Sequence, residues 1–232
     1  MISIDTLSFL TMRDMAALAL LVTLWGAVGW RIEHSSTRKP STSSIMASYR
    51  REWMTQMLAR ENRIFDSQTI GTLRQSTAFF ASTCVIAIGG TLALIGNAEQ
   101  VAGVAADLTA ASDPAIVWEL KLLVIVFFLT NGFLKFVWSN RLFGYCSVMM
   151  GATPNKPDTD GIAKYAHKAA ELNIAAARSF NRGLRAIYFG LATVAWLGGP
   201  ELLIAATVLT FLVIWRREFA SQSRRVLLEQ DL

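Results

Sequence analysis

Four apolar runs, without the alternation of polar residues that is typical of β-strands, dominate the chain. They cover residues 15–30, 78–96, 115–138 and 186–215. A bilayer core of roughly 30 Å requires about 20 apolar residues in helical form. Continuous runs indicate helix rather than strand, and a spanning segment cannot leave its backbone amides unpaired in lipid. The pattern therefore predicts an all-α integral membrane protein.

The last run is too long for one span. Its 30 residues would form a helix of about 45 Å at 1.5 Å per residue. Its middle is Gly198-Gly199-Pro200-Glu201, which is typical of a helix end followed by a proline-initiated helix with an acid in its first turn. We therefore predict two short spans joined by a tight hairpin, which makes five transmembrane helices.

The distribution of positive charge sets an orientation for these spans. Of the 22 Lys and Arg residues, nineteen lie in 31–75, in 139–185 and after Trp215, and five spans place these three segments on one side. The positive-inside rule identifies that side as the cytoplasm. We expect a multi-pass protein of a bacterial inner membrane, with a periplasmic N-terminus and a cytoplasmic C-terminus.

Composition excludes several other classes of protein. Charged residues make up 17% of the chain and the mean hydropathy is +0.39, whereas a soluble domain has roughly 25% charged residues. The net charge of +5 comes from residues at the ends of apolar runs, not from one basic stripe, so we expect no nucleic-acid partner. Two cysteines, Cys84 and Cys146, exclude a disulfide framework.

The first run is predicted to be a retained anchor. A secretory signal has its positive charge before the apolar region, whereas Arg31, Arg38 and Lys39 follow it here. The predicted organisation is an N-terminal transmembrane anchor at 1–34, a polar linker at 35–44, an amphipathic cytoplasmic helix at 45–75, a four-span core at 76–220 and a cytoplasmic tail at 221–232. The amphipathic helix is predicted from Met46, Tyr49, Trp53, Met57 and Ile64, which recur at helical spacing. It would either lie on the inner membrane surface or pack within the protein's own cytoplasmic helical layer, and the second alternative is favoured.

The third and fourth spans are predicted to continue beyond the membrane, over 139–185. No strong helix breaker occurs before Gly151-Ala152-Thr153-Pro154, and residues 157–161 have the composition of a loop. From Ile162 one helix is expected to run into the fourth span. Two helices would then form a small antiparallel helical layer in the cytoplasm.

Ionisable and polar side chains inside spans are candidate functional groups. Glu119 and Lys121 lie near the outer end of the third span, where snorkelling can bring both side chains to water. Asn131 and Lys135 share one face nearer the inner end. That face either lines a polar pathway or lets Asn131 bond to a neighbouring helix while Lys135 reaches water.

Charges of both signs cluster at the predicted inner ends of the spans. This cytoplasmic charge belt is either a structural network of ion pairs or a site for an anion or lipid headgroup. Its members are Glu61, Arg63, Asp66, Arg182, Arg185, Arg216 and Arg217.

Small residues at helical spacing predict close helix contacts, within one subunit or between subunits. The pairs are Ala78 with Ser82, Gly89 with Ala93, and Ala186 with Gly190.

The sequence contains no phosphate-binding loop, dinucleotide fingerprint, zinc-ligand pair or nucleophile elbow. We therefore expect no catalytic residue, no cofactor and no metal.

Six blocks, in order along residues 45–220, resemble the bacterial and plant membrane proteins grouped as domain of unknown function 599. The resemblance implies a multispan protein and no particular activity. The blocks are Glu61-Asn62-Arg63-Ile64 with Asp66, Gln68 and Ile70-Gly71; Phe79–Thr83; Trp118–Leu122; Lys135–Ser139; Asn181–Phe189; and Arg216–Phe219.

Three functions remain open. The first is an inner-membrane scaffold or accessory protein that self-associates or binds another membrane complex. The second is an oligomeric channel or transporter for a small ion or solute, with Asn131 and Lys135 on its polar face and a preference for anions. The third is a protein that binds or modifies lipid headgroups, using Glu61 and Asp66 with a headgroup between Arg63 and Arg182. The expected partners are the lipid bilayer with anionic lipids, and further copies of the chain.

Overall fold

A computed structural model describes residues 10–100, 102–103, 114–155 and 161–229, and within them the regular structure is helical, with no strand. The predicted all-α class is therefore confirmed. Three predicted features lie outside the described residues: an upstream extension of the first span at residues 7–9, a helix cap of the third span at Asp113, and the loop at 157–160. The helices are α1 (Met12–Glu33), α2 (Thr42–Met57), α3 (Ile64–Ile95), α4 (Ala115–Gly151), α5 (Ile162–Val194), α6 (Pro200–Phe219) and α7 (Gln222–Leu228).

Among the described residues, α1, α3 and α4 are long and apolar enough to cross a membrane. Helix α6 is charged at both ends, with Glu201 in its first turn and Arg216 and Arg217 in its last turn. Its centre, residues 202–215, is uncharged. The apolar helices indicate a multi-pass membrane protein.

The predicted helix end and proline-initiated helix start between α5 and α6 are confirmed. A 3-10 helix at Ala195–Gly198 follows α5 directly, and Pro200 is the first residue of α6. Gly199 between them has a φ of +118°, a conformation that favours glycine because it has no Cβ.

The predicted continuity of these two long helices is also confirmed. Helix α4 continues without interruption to Gly151, and α5 runs as one helix of 33 residues from Ile162 to Val194.

The prediction of one helix over 45–75 is wrong. Helix α2 ends at Met57, the chain turns through residues 58–63, and α3 begins at Ile64. The Asn62 side chain accepts a 2.8 Å hydrogen bond from the Ile64 amide and so caps α3. Periodicity did not reveal this break because Ile64 happens to continue the helical spacing of the segment before it.

The polar linker is shorter than predicted, because Ser41 caps α2 and the helix begins at Thr42. The buried face of α2 also differs from the predicted stripe. Ile45 and Met54 are buried, whereas Met46 and Tyr49 are 36% and 48% exposed.

The chain divides into two compact units. The first contains residues up to Trp30, Thr83–Gly132 and Leu184–Trp215. The second contains Arg31–Ser82, Phe133–Gly183 and the chain from Arg216 onward. The core of the second unit includes Met54 of α2, Ile70 of α3, Phe143 of α4 and Ala169 of α5. In this core α2 and the start of α3 pack with the ends of α4 and α5, so α2 packs within the protein's own helical layer.

Candidate functional site

The buried carboxylate of Asp66 joins α2 to α3 in the second unit. Asp66 is 0% exposed and lies in the first turn of α3, where an acid is favoured by the helix dipole. Its Oδ1 accepts a 2.6 Å hydrogen bond from Nε1 of Trp53 and an ion-pair contact from Arg60. Asp66 thus bridges the turn at 58–63, and its ion-pair partner, Arg60, is not one of the residues of the predicted charge belt.

Arg63 binds backbone carbonyls. Its Nη1 donates to the oxygen of Thr153 at 2.7 Å and its Nη2 to the oxygen of Pro154 at 2.8 Å. These acceptors lie in the segment that follows α4, two and three residues beyond its last residue, Gly151. Arg63 therefore fastens the end of α4 to the turn before α3.

Arg182 pairs with Glu33 through two side-chain hydrogen bonds, one of them Nε to Oε1 at 2.8 Å. Bonding to Glu33 raises the pKa of Arg182 above its usual value. The engagement of Arg63 and Arg182 with these partners argues against the predicted headgroup position between them. Glu61 is exposed while Asp66 is buried, so the two acids do not share one environment.

The remaining belt residues have different surroundings. In the first unit Arg185 is 7% exposed, with its Nε 3.8 Å from the position of a Cβ on Gly29. In the second unit Arg216 and Arg217 are exposed. Beside them, the Glu218 carboxylate accepts from the amide and hydroxyl of Ser43, at 3.1 and 3.0 Å.

A buried polar group in the second unit was not found from the sequence. Arg50 of α2 donates to Oδ1 of Asn173, and burial lowers the pKa of Arg50. Asn173 and Cys146 are both 0% exposed, and the Cys146 thiol lies 3.3 Å from the carbonyl oxygen of Ala169. These contacts link α2, α4 and α5. Cys84 and Cys146 are both free thiols, as predicted.

In the first unit, Lys121 does not reach water, which corrects the prediction of snorkelling. It is 3% exposed, and its ammonium lies 4.7 Å from the ring centre of Trp118 and 5.9 Å from that of Trp196. Two aromatic faces stabilise the cation within the protein. The contribution of Trp196 depends on the return of a distant segment, which spacing within α4 cannot indicate.

Asp14 belongs to the same group of residues. It is 7% exposed and accepts a 2.7 Å hydrogen bond from Nε1 of Trp196, while the amide of Thr11 donates to its other oxygen at 3.1 Å. Lys121 acts on it electrostatically. Sequence analysis did not single out Asp14. Its position directly before the first apolar run could have marked it as a candidate functional residue.

The other members of the predicted polar face are Glu119, Asn131 and Lys135, and all three are half-buried. In the second unit the backbone oxygen of Lys135 accepts from the Ser179 hydroxyl at 2.8 Å.

The small-residue pairs have opposite environments. A Cβ on Gly190 would lie 3.1 Å from Cβ of Phe128, and Ala186 is 0% exposed, so this pair packs within the protomer. On α3, Gly89 and Ala93 are exposed, and no atom lies within 4 Å of the Cβ position of Gly89. Ala78 and Ser82 are also exposed and line a groove between α3 and α4.

The fold and these contacts define a multi-helix protein of membrane type, with buried charged residues in each of its two units. The chain matches, over residues 16–223, the family described as "Protein of unknown function, DUF599", and it belongs to that family. The match confirms the resemblance and extends it toward the N-terminus, so that it includes nearly all of α1. Searches of curated proteins and of solved structures found no match.

Proposed function

We propose that the protein is a five-span scaffold or accessory protein of a bacterial inner membrane, with a periplasmic N-terminus and a cytoplasmic C-terminus. Its function would be association with a second copy of itself, or with another membrane complex, through the exposed face of α3. We propose no catalytic role.

The open surface at Gly89 and Ala93 carries this proposal. In the most apolar 18-residue window of α3 only 11% is buried, compared with 33% in α4. Contact with lipid alone would not require small residues on this surface, because leucine or isoleucine also pack against lipid. Glycine inside a helix costs roughly 0.5–1 kcal/mol relative to alanine. Small residues permit the backbone of another helix to approach closely. Such packing would offset the cost of glycine at position 89.

The length of the helices and the positions of their charges support the assignment of α5 and α6 as the fourth and fifth spans. Helix α6 has 20 residues and measures about 30 Å, and its charges stand at its two ends. From Ala186 to the end of α5 there is no Lys or Arg. Five crossings place the three basic segments on one side, as the positive-inside rule requires.

Cross-linking in native membranes tests the self-association. Ala93→Cys should give a disulfide-linked dimer, whereas Leu209→Cys, at a 63% exposed position of α6, should not. The native Cys84 and Cys146 are 2% and 0% exposed, so they should not compete. A species that remains monomeric, with no cross-linked partner at Ala93, would contradict the proposal.

A bulky residue on the proposed face supplies a second test. Gly89→Leu should abolish the dimer because its side chain separates the backbones. Gly26→Leu is the matched control, since Gly26 also has nothing within 4 Å of its Cβ position but lies on α1. Equal loss in both variants would count against a specific interface.

The alternative function, an oligomeric channel or transporter, is tested by a flux measurement. Flux of small anions into liposomes should fall with Lys135→Ala if the face of Asn131 and Lys135 lines a pathway. Equal flux in the variant and the wild-type protein would remove this alternative and leave the scaffold.

A further inference from the structure

An open groove of about 760 Å³ lies between α3 and α4 in the second unit. The residues that line it are small and apolar in one part and polar or basic in the other. One part is made of small and apolar residues, among them Ala78, Ala81, Ser82 and Val137. The other part carries Arg74, Asn140, Arg141 and Tyr145.

The side-chain amide of Asn140 fixes the two helices at this level. It donates to the backbone oxygen of Arg74 at 3.0 Å and to Oγ1 of Thr77 at 2.9 Å. Both acceptors belong to α3, so one α4 side chain sets the local separation of the walls. Because the acceptor on Arg74 is a backbone atom, its side chain remains available for another contact.

Gly144 leaves space for the guanidinium of Arg74, whose Cζ lies 3.9 Å from the position of a Cβ on Gly144. Arg141 uses its Nε to donate to the Tyr145 hydroxyl at 2.8 Å. That bond engages one of the five N–H donors of a guanidinium. Both arginines are exposed, and no Asp or Glu is among the described residues that line the groove.

The chemistry along the groove matches one anionic phospholipid. The predicted spans begin at Ala78 and end at Trp138, so Ala78, Ala81, Ser82 and Val137 lie at acyl-chain depth. Arg74, Arg141 and Tyr145 lie just beyond the predicted inner end of the spans, at the level of phosphates. Guanidinium groups bind phosphate oxygens through paired N–H donors, and basic residues next to spans attract anionic lipid.

We infer that the groove between α3 and α4 binds an anionic phospholipid of the inner leaflet. Arg74 and Arg141 hold its phosphate, and one acyl chain lies against Ala78, Ala81 and Val137. This inference rests on the span assignment proposed above, but it does not require self-association.

Native mass spectrometry of the full chain tests the inference. The protein is delipidated in detergent and titrated with phosphatidylglycerol, and in parallel with phosphatidylcholine of the same acyl chains. The wild-type protein should bind phosphatidylglycerol more tightly. Arg74→Gln with Arg141→Gln should weaken that binding roughly tenfold or more and leave phosphatidylcholine unchanged.

The matched control is Arg38→Gln with Lys39→Gln, which removes the same formal charge from exposed residues outside the groove. It should bind phosphatidylglycerol as the wild-type protein does. Equal loss in the control and in the Arg74/Arg141 variant would show a general effect of charge and overturn the inference. Equal binding of the two lipids by the wild-type protein, or unchanged binding by the Arg74/Arg141 variant, would also overturn it.

A melting curve in lipid-free detergent shows whether the loss of both arginines unfolds the protein. If it does, a second variant tests the inference instead. Gly144→Leu fills the groove while keeping both arginines, and it should also lose the bound lipid. Undiminished binding by that variant would overturn the inference. The same spectra count protomers, so a monomer that retains phosphatidylglycerol would refute self-association and leave the lipid site standing.

Discussion

Nε1 of Trp196 donates a 2.7 Å hydrogen bond to Oδ1 of Asp14, a residue 182 positions earlier in the chain. The bond joins the 3-10 turn after α5 to the beginning of α1. The same indole lies near the ammonium of Lys121. One tryptophan therefore lies close to two buried charged residues of the first unit, Asp14 and Lys121, and charges buried in this way require partners.

Removing the donor on Trp196 should destabilise the protein. Trp196→Phe keeps an aromatic ring for Lys121 but leaves Asp14 with one fewer hydrogen bond, and we expect a loss of about 1–3 kcal/mol in the free energy of unfolding. Denaturation in detergent measures it. Trp138→Phe, at a 51% exposed residue, should change stability little. Equal effects of the two substitutions would show that the Asp14 bond is unimportant.

The turn between α2 and α3 should depend on Asp66. Asp66→Ala removes the acceptor for Trp53 and the partner of Arg60, and we expect a loss of about 2–4 kcal/mol because the carboxylate is fully buried. Glu61→Ala, at an exposed acid in the same segment, should cost under about 0.5 kcal/mol. A stable Asp66→Ala variant would mean that the turn closes without this carboxylate.

Arg63 should protect the end of α4 from local opening. Arg63→Lys keeps the charge, but a single ammonium does not reproduce the planar fork that reaches both Thr153 and Pro154. Amide hydrogen exchange should become faster over residues 149–155, with little change in α2. Unchanged exchange at these residues would show that the α4 terminus is stable without the guanidinium.

The pair formed by Glu171 and Arg51 should add a small pH-dependent term to stability. The Arg51 hydrogen bond holds the pKa of Glu171 below its usual value of 4.5. The stabilisation is therefore complete above about pH 4.5 and is lost as the pH falls through the lowered folded-state pKa. Both side chains are about half exposed, which limits the effect to a few tenths of a kcal/mol.

The measurement compares the melting temperatures of wild-type protein and Glu171→Gln across pH 3 to 7. The difference should be present at pH 7 and disappear at the acidic end. Glu61→Gln makes the same change of charge at an exposed residue and should show no such trend. A difference that grows as the pH falls would reverse the predicted sign.

A reporter fused after Leu232 should be cytoplasmic, because an odd number of spans with an outer N-terminus brings the chain back inside. An enzyme reporter active only in the periplasm should be inactive there and active when inserted at residue 199, in the predicted outer hairpin. Activity at Leu232 would contradict the proposed arrangement of five spans with an outer N-terminus.

The sequence by itself determined that the chain is helical, that its apolar helices are of membrane type, and where the long helices end. Uninterrupted apolar runs permit few structures in lipid, and Gly198-Gly199-Pro200 limits the backbone at its own position. The continuation of α4 to Gly151 was predictable for the same reason, since helix propagation and termination depend on neighbouring residues. Family blocks around Asn62 and Arg182 were also visible in the sequence.

Only the tertiary structure decided which charges meet. Lys121 was expected in water and is enclosed by two tryptophans, while Asp66 pairs with Arg60 and Arg63 binds carbonyl oxygens of a segment 90 residues away. The break at 58–63 is bridged by the hydrogen bond from Trp53 to Asp66. Spacing along a helix reports which residues share a face, but a side chain's partner is set by the segment that packs against that face.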